Sequence, residues 1–203
     1  MAPQPLAVIY GNSQSGGTGL DLAKVLKATG VAVKRVTRNG ANDAKLLANV
    51  SDLGDPAQYA HAFLYVGGNN DAPSVAAIAA MVEHFNGRAS VILPPVNVGR
   101  ASAKVATHRA KNAANAEGLA AAGIARVYAI EAPFSDFTTN TDHVHLRAGS
   151  APSLALARDV VADAHAYLAD PNGPRVVQVG GSPAVLAMVG GGLAAWLLLR
   201  RQR

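Results

Sequence analysis

The chain has no cysteine. That removes disulfides, thiolate metal sites and a cysteine nucleophile, while leaving the compartment open. Aromatic residues are scarce, at 5% of the total, and charged residues make up only 15%. A nucleic-acid surface needs basic residues on one face interleaved with aromatics. Lys24, Lys27, Lys34, Arg35 and Arg38 are grouped, but no aromatic lies among them. They read as a solvated surface, and no nucleic-acid partner is expected. The formal charge of +5 is concentrated at the end, where Arg200, Arg201 and Arg203 stand among the last four residues. Residues Met1 to Leu6 do not show the basic region and apolar stretch of a signal peptide.

What the chain has is apolar mass. Half of its 203 residues are hydrophobic, enough for a sizeable core. Short apolar runs alternate with longer alanine-rich stretches, the pattern of βαβ units around a parallel sheet. The runs predict strands at Leu6–Tyr10, Val31–Thr37, Ala62–Val66, Ser90–Leu93 and Arg126–Ile130. Helices are predicted near Leu20–Thr29, Ala41–Asn49, Val75–Phe85, Ala101–Ala122 and Ser153–Leu168. Five strands with right-handed crossovers fit a three-layer α/β/α, doubly wound domain over residues 1–170.

Residues 171–182 read as a linker, opened by Pro171-Asn172-Gly173-Pro174. Beyond it, no charge occurs from Pro183 to Leu199, and Arg200-Arg201-Gln202-Arg203 follows. This is the short end of the length a membrane helix needs, about 17 to 25 residues. Trp196 and the arginines stand where interfacial anchors do, so residues 183–203 are expected to be a single-pass transmembrane anchor. A buried helix completing the soluble fold is the competing reading. The terminal arginines favour a cytoplasmic C-terminus, although no export signal is visible. A bacterial envelope and a phage virion membrane both suit the pattern, and the orientation is open.

Three polar clusters each follow a predicted strand, on the sheet edge where open α/β folds bind ligands. The first is Gly11-Asn12-Ser13-Gln14-Ser15-Gly16-Gly17-Thr18-Gly19. A serine at the start of a helix faces unpaired N–H groups that favour developing negative charge. The same residues also fit a helix cap at Ser13, or a phosphate loop in which Gly17 replaces the lysine. The second cluster is Gly67-Gly68-Asn69-Asn70-Asp71, where an asparagine amide could serve an oxyanion. The third is Asp142-His143-Val144-His145, which fits a histidine base oriented by an aspartate. Asp142, His143 and His145 as metal ligands are an alternative, and neither a metal nor another cofactor is assigned.

Taken together, Gly11-Asn12-Ser13, Gly68-Asn69-Asn70-Asp71 and Asp142-x-x-His145 resemble the SGNH (GDSL-like) serine hydrolase family. The resemblance spans about residues 6 to 168 and includes Leu93-Pro94-Pro95 after the fourth strand and Gly40 after the second. It implies a flavodoxin-like SGNH fold and a catalytic triad of Ser13, His145 and Asp142. It also implies an oxyanion hole formed by the N–H groups of Ser13 and Gly40 with the Asn70 side chain. Asn12 and Gln14 depart from the aspartate and leucine usual on either side of the serine. Tyr65, Phe134 and Phe137 flank the predicted site. The function implied is a membrane-tethered esterase or deacetylase acting on an acyl-ester substrate, on cell-wall glycan or lipid. A membrane-anchored docking protein that retains the fold without activity, and a nucleotide-binding domain, are the competing classes.

Overall fold

The computed structural model describes residues 4–99, 102–138 and 145–169. The predicted linker and membrane anchor, together with Asp142 and His143, lie outside these residues. Among the described residues no helix is long and apolar enough to cross a membrane.

Five parallel strands form the central sheet: β1 (Leu6–Gly11), β2 (Ala32–Thr37), β3 (His61–Tyr65), β4 (Ala89–Ile92) and, after a further short strand, β6 (Val127–Tyr128). Their spatial order is β2-β1-β3-β4-β6, a doubly wound sheet whose order reverses at β1. Each predicted strand is therefore present, with no end shifted by more than two residues. Two strands were not foreseen. β5 (Val96–Asn97) and β7 (Glu131–Ala132) pair in parallel just beyond the ends of β4 and β6. Two-residue runs are too short to leave a period in the sequence.

The helices are α1 (Gln14–Ala28), α2 (Asp43–Ala48), α3 (Val75–His84), α4 (Ser102–Ala121) and α5 (Ala151–Ala169). Alternation along the strands sends side chains to two cores. Ile9, Phe63 and Tyr65 face α1 and α5, meeting Leu22, Leu26, Val160 and Ala164. Val8, Tyr10, Leu64 and Val66 face the other layer, meeting Leu46, Ile78, Met81 and Leu119. Both faces of β1 and β3 are buried, which is why these strands read as continuous apolar runs. His61, the first residue of β3, is fully buried and bonded to Ser90 Oγ at 2.9 Å. Burial lowers its pKa to about 3, so it is a neutral core residue.

One boundary differs in a way that matters. The sequence places the start of α1 near Leu20, after a glycine-rich turn, whereas the helix begins at Gln14. Gly16, Gly17 and Gly19 are poor helix formers, but here tertiary packing decides. The turn they form runs directly beneath the segment after His145. A Cβ on Gly17 would lie 3.0 Å from the Leu146 carbonyl oxygen, tighter than ordinary packing.

Candidate active site

Ser13 sits between the end of β1 and the first turn of α1, with helical backbone angles (φ −57°, ψ −22°). Its side chain makes no capping bond. Asn12 does that work instead, since its Oδ1 accepts from Gln14 N at 3.0 Å. The Ser13 hydroxyl is thereby left for another partner, and His145 Nε2 lies 2.7 Å from Ser13 Oγ. The helix-cap reading of Ser13 is therefore not the arrangement found.

The histidine is held from both sides. An antiparallel bridge joins Phe137 and Leu146, Thr138 N donates to His145 O at 2.8 Å, and Arg147 N donates to Asp136 O at 2.7 Å. Leu146 and Phe137 are core residues. A second tie comes from α1. Asp21 is completely buried, and its Oδ2 accepts from Gly149 N and Ser153 Oγ, both at 2.6 Å. One carboxylate in the serine's helix thus fastens the loop and helix that follow the histidine.

The opposite wall is the Gly67–Asp71 loop. Its anchor is Asp43 at the start of α2, also completely buried. Gly67 N donates to both Asp43 oxygens at 2.9 and 3.0 Å, and Asn70 Nδ2 donates to Oδ2 at 2.7 Å. The Ser74 hydroxyl donates to the same oxygen. Lys111 Nζ donates to Asn70 O at 2.9 Å, and Asn115 Oδ1 accepts from Ser74 N at 2.9 Å, so α4 closes the network. Burial pushes the Lys111 amine below its ordinary value.

This network gives the two asparagines different surroundings. Asn70 is spent on Asp43 and does not line the cleft, while Asn69 does line it. Asn69 Nδ2 gives one hydrogen bond, to Ala41 O at 3.0 Å, and carries a second hydrogen. Adjacent amides cannot be told apart by spacing. The buried carboxylate that claims one of them is what decides. Gly68 allows the loop to approach Asn12, because a Cβ there would lie 2.7 Å from Asn12 Nδ2. That nitrogen is buried and has no hydrogen-bond partner among the described residues.

Gly40, whose N–H the resemblance placed in an oxyanion hole, stands apart from the cleft lining. It lies in an exposed left-handed turn (φ +69°), with nothing within 4 Å of the position a Cβ would take, and it is absent from the cleft wall. The aromatics also differ from expectation. Tyr65 and Phe137 are core residues, Phe134 is exposed, and none of the three lines the cleft.

The cleft itself has a volume of about 390 Å³. Ser13, His145, Asn12 and Asn69 are among its lining residues. Pro94, Pro95, Val96 and Asn97 form a wall after β4, and Lys104, Val105 and His108 of α4 complete it. Asn112 of α4 fixes that wall by donating to Pro94 O at 2.8 Å. Sequence reading missed Asp21, Asp43, Asn112 and Asn115. The usable signal was polar residues on faces of helices that must be buried against the sheet.

Fold and site together define a doubly wound α/β protein with a hydroxyl–imidazole pair at the C-terminal edge of its sheet. Solved structures share this architecture. A family 3 carbohydrate esterase from Clostridium thermocellum superposes with a TM-score of 0.53, at 12% identity over 84% of this chain and 100% of its own. A lipase/acylhydrolase from Enterococcus faecalis gives 0.51, at 15% identity over 84% of this chain and 100% of its own. A GDSL-like lipase from Bacteroides thetaiotaomicron gives 0.50, at 15% identity over 78% and 86%. At such identities the likeness is one of fold, that of SGNH-type esterases and acylhydrolases. No protein-family model matches the chain, and no curated protein matches it in sequence.

Proposed function

We propose that the chain is a serine hydrolase that cleaves acyl esters, with Ser13 as nucleophile. The observation that carries this reading is the 2.7 Å contact between His145 Nε2 and Ser13 Oγ at the N-terminus of α1. The fold shared with esterases and acylhydrolases supports it. Ser13 Oγ attacks the ester carbonyl as its proton passes to His145 Nε2. The tetrahedral intermediate collapses to an acyl-serine, and the same proton goes to the departing alcohol. Water then repeats the sequence and releases the acid. Asp142 orients the imidazole and stabilises its cation, a role supported by the Asp-x-x-His spacing alone.

The oxyanion is met by the Ser13 N–H, which has no partner among the described residues, and by the second hydrogen of the Asn69 amide. This assignment replaces Asn70 and omits Gly40. The deacetylase reading, on a glycan or lipid ester, draws on the carbohydrate esterase and lipase names of the structural neighbours. Hydrolysis of 4-nitrophenyl acetate by the full chain is the test. Ser13→Ala and His145→Ala, still folded by circular dichroism, are each expected to lose at least ~10³-fold in kcat. A folded parent that turns over no ester would overturn the proposal.

The apolar run Pro183–Leu199 with its closing arginines supports a membrane tether. The full chain is then expected to co-sediment with lipid vesicles, and a chain ending at residue 182 is not. Equal sedimentation of the two would remove the tether.

A further inference from the structure

We infer that the cleft takes an acyl ester which also carries an anionic group, held by Lys104 and His108 of α4. This rests on the ester-hydrolase reading and names the substrate class for that site. Lys104, Val105 and His108 are spaced i, i+1 and i+4, so they share one helix face, and all three line the cleft that holds Ser13 and His145. No Asp or Glu lines that cleft among the described residues. Lys104 makes no ion pair among them.

A carboxylate on the strand beside the same wall is accounted for. Glu131 on β7 stands in register with Val96 of the cleft wall. Its two oxygens are taken by Arg109 in a two-pronged bond at 2.5 and 2.6 Å. The Lys104 charge is therefore not cancelled from the β5–β7 side. A small cleft lined by one lysine, by no carboxylate among the described residues and by the Ser13 hydroxyl suits an ester bearing a carboxylate or phosphate group. Lys104 is exposed, so a neutral acetate would leave its charge to solvent alone, whereas an anionic ester gains a contact there.

Matched substrates test this on the full chain. 3-Acetoxybenzoate against 3-acetoxybenzamide places the charge on the alcohol portion, and phenyl hydrogen adipate against its primary amide places it on the acyl portion. 3-Acetoxyphenyl phosphate separates phosphate from carboxylate. In at least one comparison the anionic ester is expected to exceed its neutral partner in kcat/KM by about tenfold, the worth of one charge-assisted contact. Lys104→Gln should bring that ratio close to one, and Lys104→Arg should restore it. Arg158→Gln, which removes a charge from the exposed face of α5, should leave the ratio as it is.

Neutral esters preferred throughout, or a preference that survives Lys104→Gln, would overturn the inference. If no ester is turned over, the hydrolase reading falls and the anion site is still tested by calorimetry. Binding of 3-hydroxybenzoate but not 3-hydroxybenzamide, lost in Lys104→Gln, would support the site. Equal or absent binding would refute it.

Discussion

Asp21 and Asp43 are both completely buried, and neither lines the cleft. Asp21 lies inside α1 and reaches the start of α5, receiving Gly149 N and Ser153 Oγ on a single oxygen. Among the described residues its other oxygen has only Lys24, 3.6 Å away and largely exposed. Asp43 opens the short α2 and uses both oxygens, receiving Gly67 N, Asn70 Nδ2 and the Ser74 hydroxyl. The histidine side of the cleft also has a β-bridge and two backbone bonds to hold it. The asparagine side has a loop of glycine and asparagine, which supplies little stiffness of its own. The carboxylate with more donors stands where the backbone offers less. A buried acid in this fold acts as a fastener, and its importance follows from how little else secures the segment it binds.

The largest expected effect breaks the weaker side. Asp43→Ala strands one buried and two half-buried donors, each costing about 1–3 kcal/mol when unsatisfied, and should destabilise the chain by roughly 3–5 kcal/mol. Asp21→Ala strands two donors beside a partly exposed helix start and should cost about 2–3 kcal/mol. Urea denaturation of the two variants measures the difference, and an equal loss would remove the contrast drawn here.

Next in size is the division between neighbouring asparagines. Asn69→Ala should lower kcat about 10²- to 10³-fold, as loss of one oxyanion donor does. Its effect on stability should be small. Asn70→Ala should do the reverse, lowering the urea midpoint by the worth of a hydrogen bond to a charged group, about 1.5–3 kcal/mol, and leaving kcat within a few-fold. Steady-state kinetics beside denaturation separates the two. A kcat loss confined to Asn70→Ala would return the oxyanion role to that residue.

This contrast also explains what could be read from the sequence. β1, β3 and β4 were legible because buried parallel strands leave apolar runs, and β1 and β3 are covered on both faces. Ser13 and His145 were legible because Ser13 sits in a polar cluster just after β1 and His145 in one shortly before the last helix. The start of α1 was not, since glycine at positions 16, 17 and 19 looks like a turn until Leu146 is seen against it. Asp21 was hidden by Lys24, which makes the pair look like an ordinary surface i,i+3 contact. Asp43 was hidden by its place in the first turn of a helix, where an acid needs no special explanation. The choice of Asn69 over Asn70 depends on that hidden carboxylate, so it could not be made from spacing. Lys104 and His108 sat in an alanine-rich helix with nothing to show which face meets the cleft.

The most direct test of the site is intact-mass analysis of the folded full chain after exposure to a fluorophosphonate, with peptide mapping of the adduct. One adduct per chain on Ser13, absent from Ser13→Ala and strongly slowed in His145→Ala, is the expected result. A folded chain that remains unmodified at Ser13 would contradict the assignment of Ser13 and His145 as an activated nucleophile and its base.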